Sequence, residues 1–163
     1  MPFDIDWPSV YWNLTYLAVA YVLALPVAME REAHSRSAGL RTFPLVAVAS
    51  CAYMLLGINV LDSSGAEARV FEGIITGMGF IGGGAILKSR NRTTGTATAA
   101  SLWTTGAIGV AVAWNRFEIA LLLSLVTFAS LRLLSPAKHA LNDNHVDEKR
   151  DRGADKGIED VDG

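Results

Sequence analysis

VFEGIITGMGFIGGGAIL, residues Val70–Leu87, is an apolar run long enough to cross a bilayer, yet it carries six glycines. Each glycine inside a helix costs roughly 1 kcal/mol relative to alanine, so in water such a helix would be hard to hold together. In lipid the backbone must satisfy its own hydrogen bonds, and small residues let neighbouring helices approach closely. The run therefore reads as a transmembrane helix. On a wheel of 3.6 residues per turn, Glu72, Gly73, Thr76, Gly77, Gly79, Phe80, Gly83 and Gly84 share one half with Arg69, while Phe71, Ile74, Ile75, Met78, Ile81, Ala85 and Ile86 fill the other. Gly82 breaks this pattern. The small, polar half is expected to be the inner packing surface of a helical bundle, with Gly73, Gly77, Gly79, Gly83 and Gly84 as helix-packing positions and the greasy half turned partly to lipid. Gly77-Met-Gly-Phe-Ile-Gly82 also matches the dinucleotide-binding GxGxxG pattern, but it lies inside an apolar run without a preceding strand or a following acidic ribose ligand.

Outward from this stretch the chain has the same character. Its 163 residues are 51% hydrophobic and only 18% charged, with the charge gathered in short clusters between long uncharged blocks. That distribution belongs to an all-α polytopic membrane protein with about five transmembrane helices. Spans are expected at Val10–Met29, Phe43–Leu61, Val70–Leu87, Thr96–Trp114 and Phe117–Leu134. Pro26 should bend the end of the first, and Pro136 should end the last. The acidic N-terminus, MPFDIDWPSV, is unlike a cleavable signal, so the first span is expected to be retained. The lone Cys51 offers neither a disulfide framework nor a multi-cysteine metal site. Residues 1–135 make the transmembrane domain, and the polar tail, 136–163, is expected to be disordered on the cytoplasmic side.

Basic residues orient the chain. Arg31, Arg36 and Arg41 share one loop, Glu30–Thr42; Lys88, Arg90 and Arg92 fall on the same side, as do Arg132 and Lys138, with only Arg69 and Arg116 opposite. The asymmetry places the N-terminus outside and the C-terminus in the cytoplasm, as five spans require.

Three blocks, Glu30-Arg-Glu32 with Ala38-Gly-Leu-Arg-Thr42, then Gly77–Leu87, then Thr98-Ala-Ala-Ser-Leu-Trp103, together resemble the MgtC/SapB family of bacterial inner-membrane proteins. The resemblance covers most of Val10–Leu134. It implies a multi-pass plasma-membrane protein tied to growth in low magnesium and, in pathogens, to survival inside phagocytes. It implies a regulatory activity, including action on the proton-translocating ATP synthase. The sequence departs from the family pattern at Glu72, where an amide is usual, at Gly95-Thr-Ala-Thr98 and at Ala28-Met29. The short polar tail differs from the soluble C-terminal domain of the best-known members.

Several residues stand out as candidate sites. Glu72 is the one acidic residue within an apolar span, which marks a functional hypothesis by default, although a local i,i+3 pair with Arg69 would neutralise it. Glu30, Arg31, Glu32, Arg36 and Arg41 form the densest charge cluster of the domain, with two carboxylates that positive-inside anchoring does not explain, and Glu30, Arg31 and Arg41 are assigned a binding or conformational role. Lys88, Arg90 and Arg92 precede a helix whose first amides, capped by Thr96 or Thr98, could receive an anion; topology anchoring is the plainer reading. Thr98, Ser101, Thr105 and Gly109 fall on one side of the fourth span, where hydroxyls bond back to their own helix and small residues, Ser101 among them, serve packing. No nucleophile with a nearby base and no paired metal ligands appear, so neither catalysis nor a cofactor is expected; bound Mg2+ is left open. The expected partners are the bilayer, a membrane protein such as the ATP synthase, and further copies of the chain, without nucleic acid. The alternative class is a small Mg2+ or H+ transporter whose pathway follows the third helix past Glu72.

Overall fold

Where apolar residues run longest, helices form. The computed structural model describes residues 5–34, 38–61, 63–89 and 92–134. Its helices are α1, Trp7–His34, α2, Thr42–Val60, α3, Ser64–Gly84, and α4, Thr96–Ala113. They are followed by α5, Phe117–Leu134. All but α3 are long and apolar enough to cross a membrane, and the chain is an all-α polytopic membrane protein. Glu67, Arg69 and Glu72 in its first half keep α3 below that threshold. A short antiparallel hairpin, β1 at Leu87–Ser89 with β2 at Arg92–Thr94, joins α3 to α4 and pairs Leu87 with Thr94 and Lys88 with Thr93. Residues 1–128 form one compact unit; in the second, 129–163, the described residues are helical through Leu134. Arg36, Arg90, Pro136, Lys138 and the tail expected at 136–163 lie outside the described residues.

Three boundaries differ most from the expectation: α3 begins at Ser64, six residues before Val70, so that Glu67 and Arg69 are helical. Helix α1 continues past Met29 to His34, so Glu30, Arg31 and Glu32 are helical rather than looped; Pro26 sits within it. Helix α3 stops at Gly84, and Leu87 belongs to the hairpin. A run of three glycines ends the helix, and the Ala85 and Ile86 amides then bond back to the carbonyls of Gly82 and Gly83, both at 3.1 Å.

The bundle is built on α4 and α2, whose backbones touch. A Cβ on Gly109 would overlap the Ala47 carbonyl oxygen and come within 3.0 Å of the Cys51 amide nitrogen. Small residues permit this closeness, and close backbones gain dispersion contact that lipid tails cannot match. Helix α3 runs antiparallel along α4: Phe71 meets Trp114 with ring centroids 5.1 Å apart, Met78 sits over Gly106, and Gly82 lies against Ala99. Although not apolar enough alone, α3 thus traverses the same layer as its neighbour. Helix α5 runs parallel to α1, with Phe117 stacked on Tyr16 and the Ser124 hydroxyl donating to the Leu23 carbonyl at 2.7 Å.

Local chemistry sets the ends. The Ser63 hydroxyl caps α3 by accepting from the Ala66 amide at 3.2 Å, with Glu67 in the favourable first turn. Helix α4 ends in a Schellman motif: Asn115, at φ 59°, bonds to the Val112 carbonyl at 2.9 Å and Arg116 to that of Ala111 at 2.8 Å.

Leucine substitution at Gly109 should destabilise the protein by about 1–3 kcal/mol or more, since a branched side chain must push the α2 and α4 backbones away from each other. Gly77→Leu should be nearly neutral, because nothing lies within 4 Å of a Cβ there. Thermal unfolding in detergent would decide; equal losses would refute the α2–α4 contact as the bundle's centre.

Candidate functional site

The last turn of α1 separates three charges in a row. Glu30 is 4% and Arg31 6% exposed, whereas Glu32 faces outward. Buried charges survive only when paired, and the Glu30 carboxylate attracts the neighbouring guanidinium. The end of a helix also favours a cation through the exposed carbonyls of its final turn. Arg31 Nε is buried and has no hydrogen-bond partner among the described residues. Glu32 acts differently: its Oε2 accepts from the Leu40 amide at 2.9 Å, and a Cβ on Gly39 would overlap this carboxylate. The Gly39 carbonyl in turn accepts from the Thr42 and Phe43 amides, at 3.0 and 3.1 Å, which starts α2. The charged end of α1 therefore fixes where α2 begins. Arg41, grouped with Glu30 and Arg31 by its sequence position, is exposed.

Helix α3 reverses the expected packing. Its inward side carries Phe71, Ile74 and Met78, part of the greasy half, together with Gly82, the one glycine that broke the wheel pattern, while Ile75 and Ile81 of that half are exposed as expected. Gly73, Gly77, Gly79, Gly83 and Gly84 are exposed, with nothing within 4 Å of a Cβ built on any of them. Small residues do mediate the close approaches, but α4 and α2 supply most of them: Gly106 receives Met78, and Gly57 receives Val70. Glu72 and Arg69 lie on the open side, and among the described residues no ion pair joins them, so the expected i,i+3 pair does not form. The hydroxyl of Thr76, on the same side, donates to the Glu72 carbonyl at 2.8 Å.

On α4, Thr98, Ser101 and Thr105 are buried. Ser101 Oγ donates to the Ala97 carbonyl at 2.6 Å and Thr105 Oγ1 to that of Ser101 at 2.8 Å, so these hydroxyls are satisfied locally. The N-cap of α4 is Gly95 rather than Thr96 or Thr98. At φ 89° it takes a conformation that side chains rarely adopt, and a Cβ there would overlap the Ala85 carbonyl oxygen.

Two cavities were not apparent from the sequence. One, of about 670 Å³, is a groove between α2 and α3 lined by Leu45, Ala49, Tyr53, Gly73, Ile74 and Gly77, with Arg41 at one end. The other, of about 540 Å³, lies between the start of α1 and the end of α2 and is lined by Ser9, Asn13, Tyr16 and Asn59. Asn13 and Asn59, polar residues within apolar runs, were the sequence signal for the second.

Glu30 and Arg31 are buried side by side and attract each other, so removing the cation makes burial of the carboxylate more costly. Arg31→Leu alone should therefore destabilise the protein by about 3–5 kcal/mol, while the double change Glu30→Leu with Arg31→Leu should recover most of that loss. A double-mutant cycle by thermal unfolding in detergent measures the coupling, and additive losses would show that the two charges do not act as a pair.

The MgtC family pattern matches residues 17–140. The chain is 32% identical over 124 residues to YhiD of Escherichia coli, whose name marks it as a candidate magnesium transporter; the match covers 72% of this chain and 58% of YhiD. It is 32% identical over 126 residues to Protein MgtC of Salmonella typhimurium, covering 77% and 54%, and 29% identical over 139 residues to Protein SrpB of Synechococcus elongatus, covering 77% and 75%. The chain thus spans little more than half the length of YhiD and MgtC. No solved structure matches it. The matched region takes in α1 from Leu17, the Glu30–Arg41 junction, all of α3 and α4, and α5, and on that ground the chain belongs to the MgtC family.

Proposed function

We propose that this chain is a regulatory protein of the bacterial plasma membrane, linked to adaptation to low magnesium, that acts by helix-to-helix contact through the open side of α3. The observation that carries the reading is that side itself. Elsewhere the exposed helix surfaces are Leu, Ile, Val and aromatic residues suited to lipid, such as Leu121, Leu122, Leu125 and Val126 on α5. On α3 the exposed side also carries apolar residues, Ile75, Phe80 and Ile81, but beside them stand Arg69, Glu72 and Thr76 and three small gaps at Gly79, Gly83 and Gly84. Ionisable groups within a membrane layer face protein or water, and glycines let a second backbone come close, so this surface suits a protein partner better than lipid. A membrane-embedded subunit of the proton-translocating ATP synthase is the partner we favour, on the family resemblance; a further copy of the chain is the other.

The second reading, transport of Mg2+ or H+, draws support from the name of YhiD and from Glu72 itself. Within one chain Glu72 faces outward rather than into a passage between helices, which favours contact over conduction. Glu72→Gln is expected to leave low-magnesium growth largely intact, whereas Glu30→Gln and Arg31→Gln should impair it. Cation flux in proteoliposomes, measured beside growth, separates the readings: robust flux abolished by Glu72→Gln would overturn regulation in favour of transport.

The proposed orientation, N-terminus outside and C-terminus in the cytoplasm, has its own test. Reporter fusions after residues 36, 90 and 140 should report as cytoplasmic, and fusions near residues 65 and 116 as external. A cytoplasmic signal near residue 65 would refute it.

A further inference from the structure

The groove between α2 and α3 is distinct from the open side of α3. We propose that it seats an acyl chain of an acidic phospholipid whose phosphodiester is held by Arg41.

Four features of the groove point to this occupant. It is closed at one end and charged at the other. At Gly57 the helices meet, since a Cβ there would lie 3.4 Å from the Val70 side chain, whereas towards the start of α2 they diverge and Arg41 stands exposed at the mouth. Its length suits one leaflet: the twelve residues from Arg41 to Tyr53 rise about 18 Å, against roughly 15 Å for half the hydrocarbon core of a bilayer. A partner helix crossing the membrane would need about 30 Å, and the groove ends before that at the Gly57–Val70 contact. Its walls suit a hydrocarbon chain, with Leu45, Ala49 and Tyr53 on α2 facing Ile74 and the bare backbone at Gly73 and Gly77 on α3. The volume, about 670 Å³, is that of a ligand site rather than a packing defect.

Arg41 precedes the first helical residue of α2, at the edge of a membrane-spanning helix where a headgroup lies. The first amides of α2 cannot hold the phosphate, because those of Thr42 and Phe43 already donate to the Gly39 carbonyl and Pro44 has none. The guanidinium is therefore the group that recognises it, in the two-pronged geometry arginine offers a phosphate. Gly73 and Gly77, which pack against nothing in the chain, acquire a role here as the space for the chain.

The test uses the full-length protein reconstituted in vesicles of equal phosphatidylglycerol and phosphatidylcholine, extracted in mild detergent, with retained lipid counted by native mass spectrometry. Phosphatidylglycerol should be retained over phosphatidylcholine. Arg41→Gln, at an exposed position, should lower that retention about fivefold. Gly77→Leu should abolish retention of both lipids while leaving the melting temperature unchanged. Equal retention of the two lipids, or a Gly77→Leu protein that holds as much lipid as the original, would overturn the proposal. So would a groove that retains no lipid but whose filling by Gly77→Leu dissolves a dimer, since that outcome would assign it to a second copy. Cation flux and growth are not read in this experiment, so its failure leaves the regulatory reading untouched.

Discussion

The fold depends on the contact between the backbones of α2 and α4 at Ala47, Cys51 and Gly109. Lipid gives no hydrophobic reward for bringing two apolar helices together, so the gain must come from close packing, and closeness requires that one helix present no side chain at the crossing. Gly109 meets that requirement. With the central pair fixed, α3 can lay Phe71, Ile74 and Met78 along α4, with Gly106 receiving the methionine, and α1 can add Ala20, Ala24, Val27 and Ala28 to the buried interior. The small residues on which the bundle turns are thus on its inner helices, not on the helix richest in glycine.

That arrangement releases the glycines of α3 for other work. Because Met78 and Phe71 hold the helix to α4, its remaining circumference meets two different surroundings. Gly73 and Gly77 border the groove shared with α2, and Glu72, Thr76 and Gly83 point away from the bundle. One helix therefore carries an apolar trough beside α2 and a more polar, glycine-containing side away from the bundle. Both surfaces follow from anchoring through a few large side chains instead of through the glycines.

The charged junction between α1 and α2 is organised by burial. Glu30 and Arg31 are drawn inside because α1 continues as a helix beyond Met29, and Glu32, one position on, reaches the Leu40 amide and sets the start of α2. Arg41 then emerges at the mouth of the groove. Charges that are neighbours in the chain consequently serve three ends: two are buried, one is a structural clip and one is an exposed cation.

By itself the sequence determined the class of the protein, because runs of apolar residues long enough to span a bilayer can satisfy their backbone there only as helices. It also determined three helix positions, those of α2, α4 and α5, to within one residue, the family, and the local satisfaction of Ser101 and Thr105, whose hydroxyls reach carbonyls of their own helix. What it could not determine was direction. A wheel divides α3 into a small half and a large half, but which half faces inward depends on the shape of the surface it meets, and that surface, with Gly106 open to receive Met78, is supplied by a helix some 30 residues away. The extension of α1 that buries Glu30 and Arg31, the failure of Arg69 and Glu72 to pair, and the groove that ends at Arg41 are likewise consequences of packing between helices. A one-dimensional pattern records the chemistry of each face, and only the tertiary structure decides what each face touches.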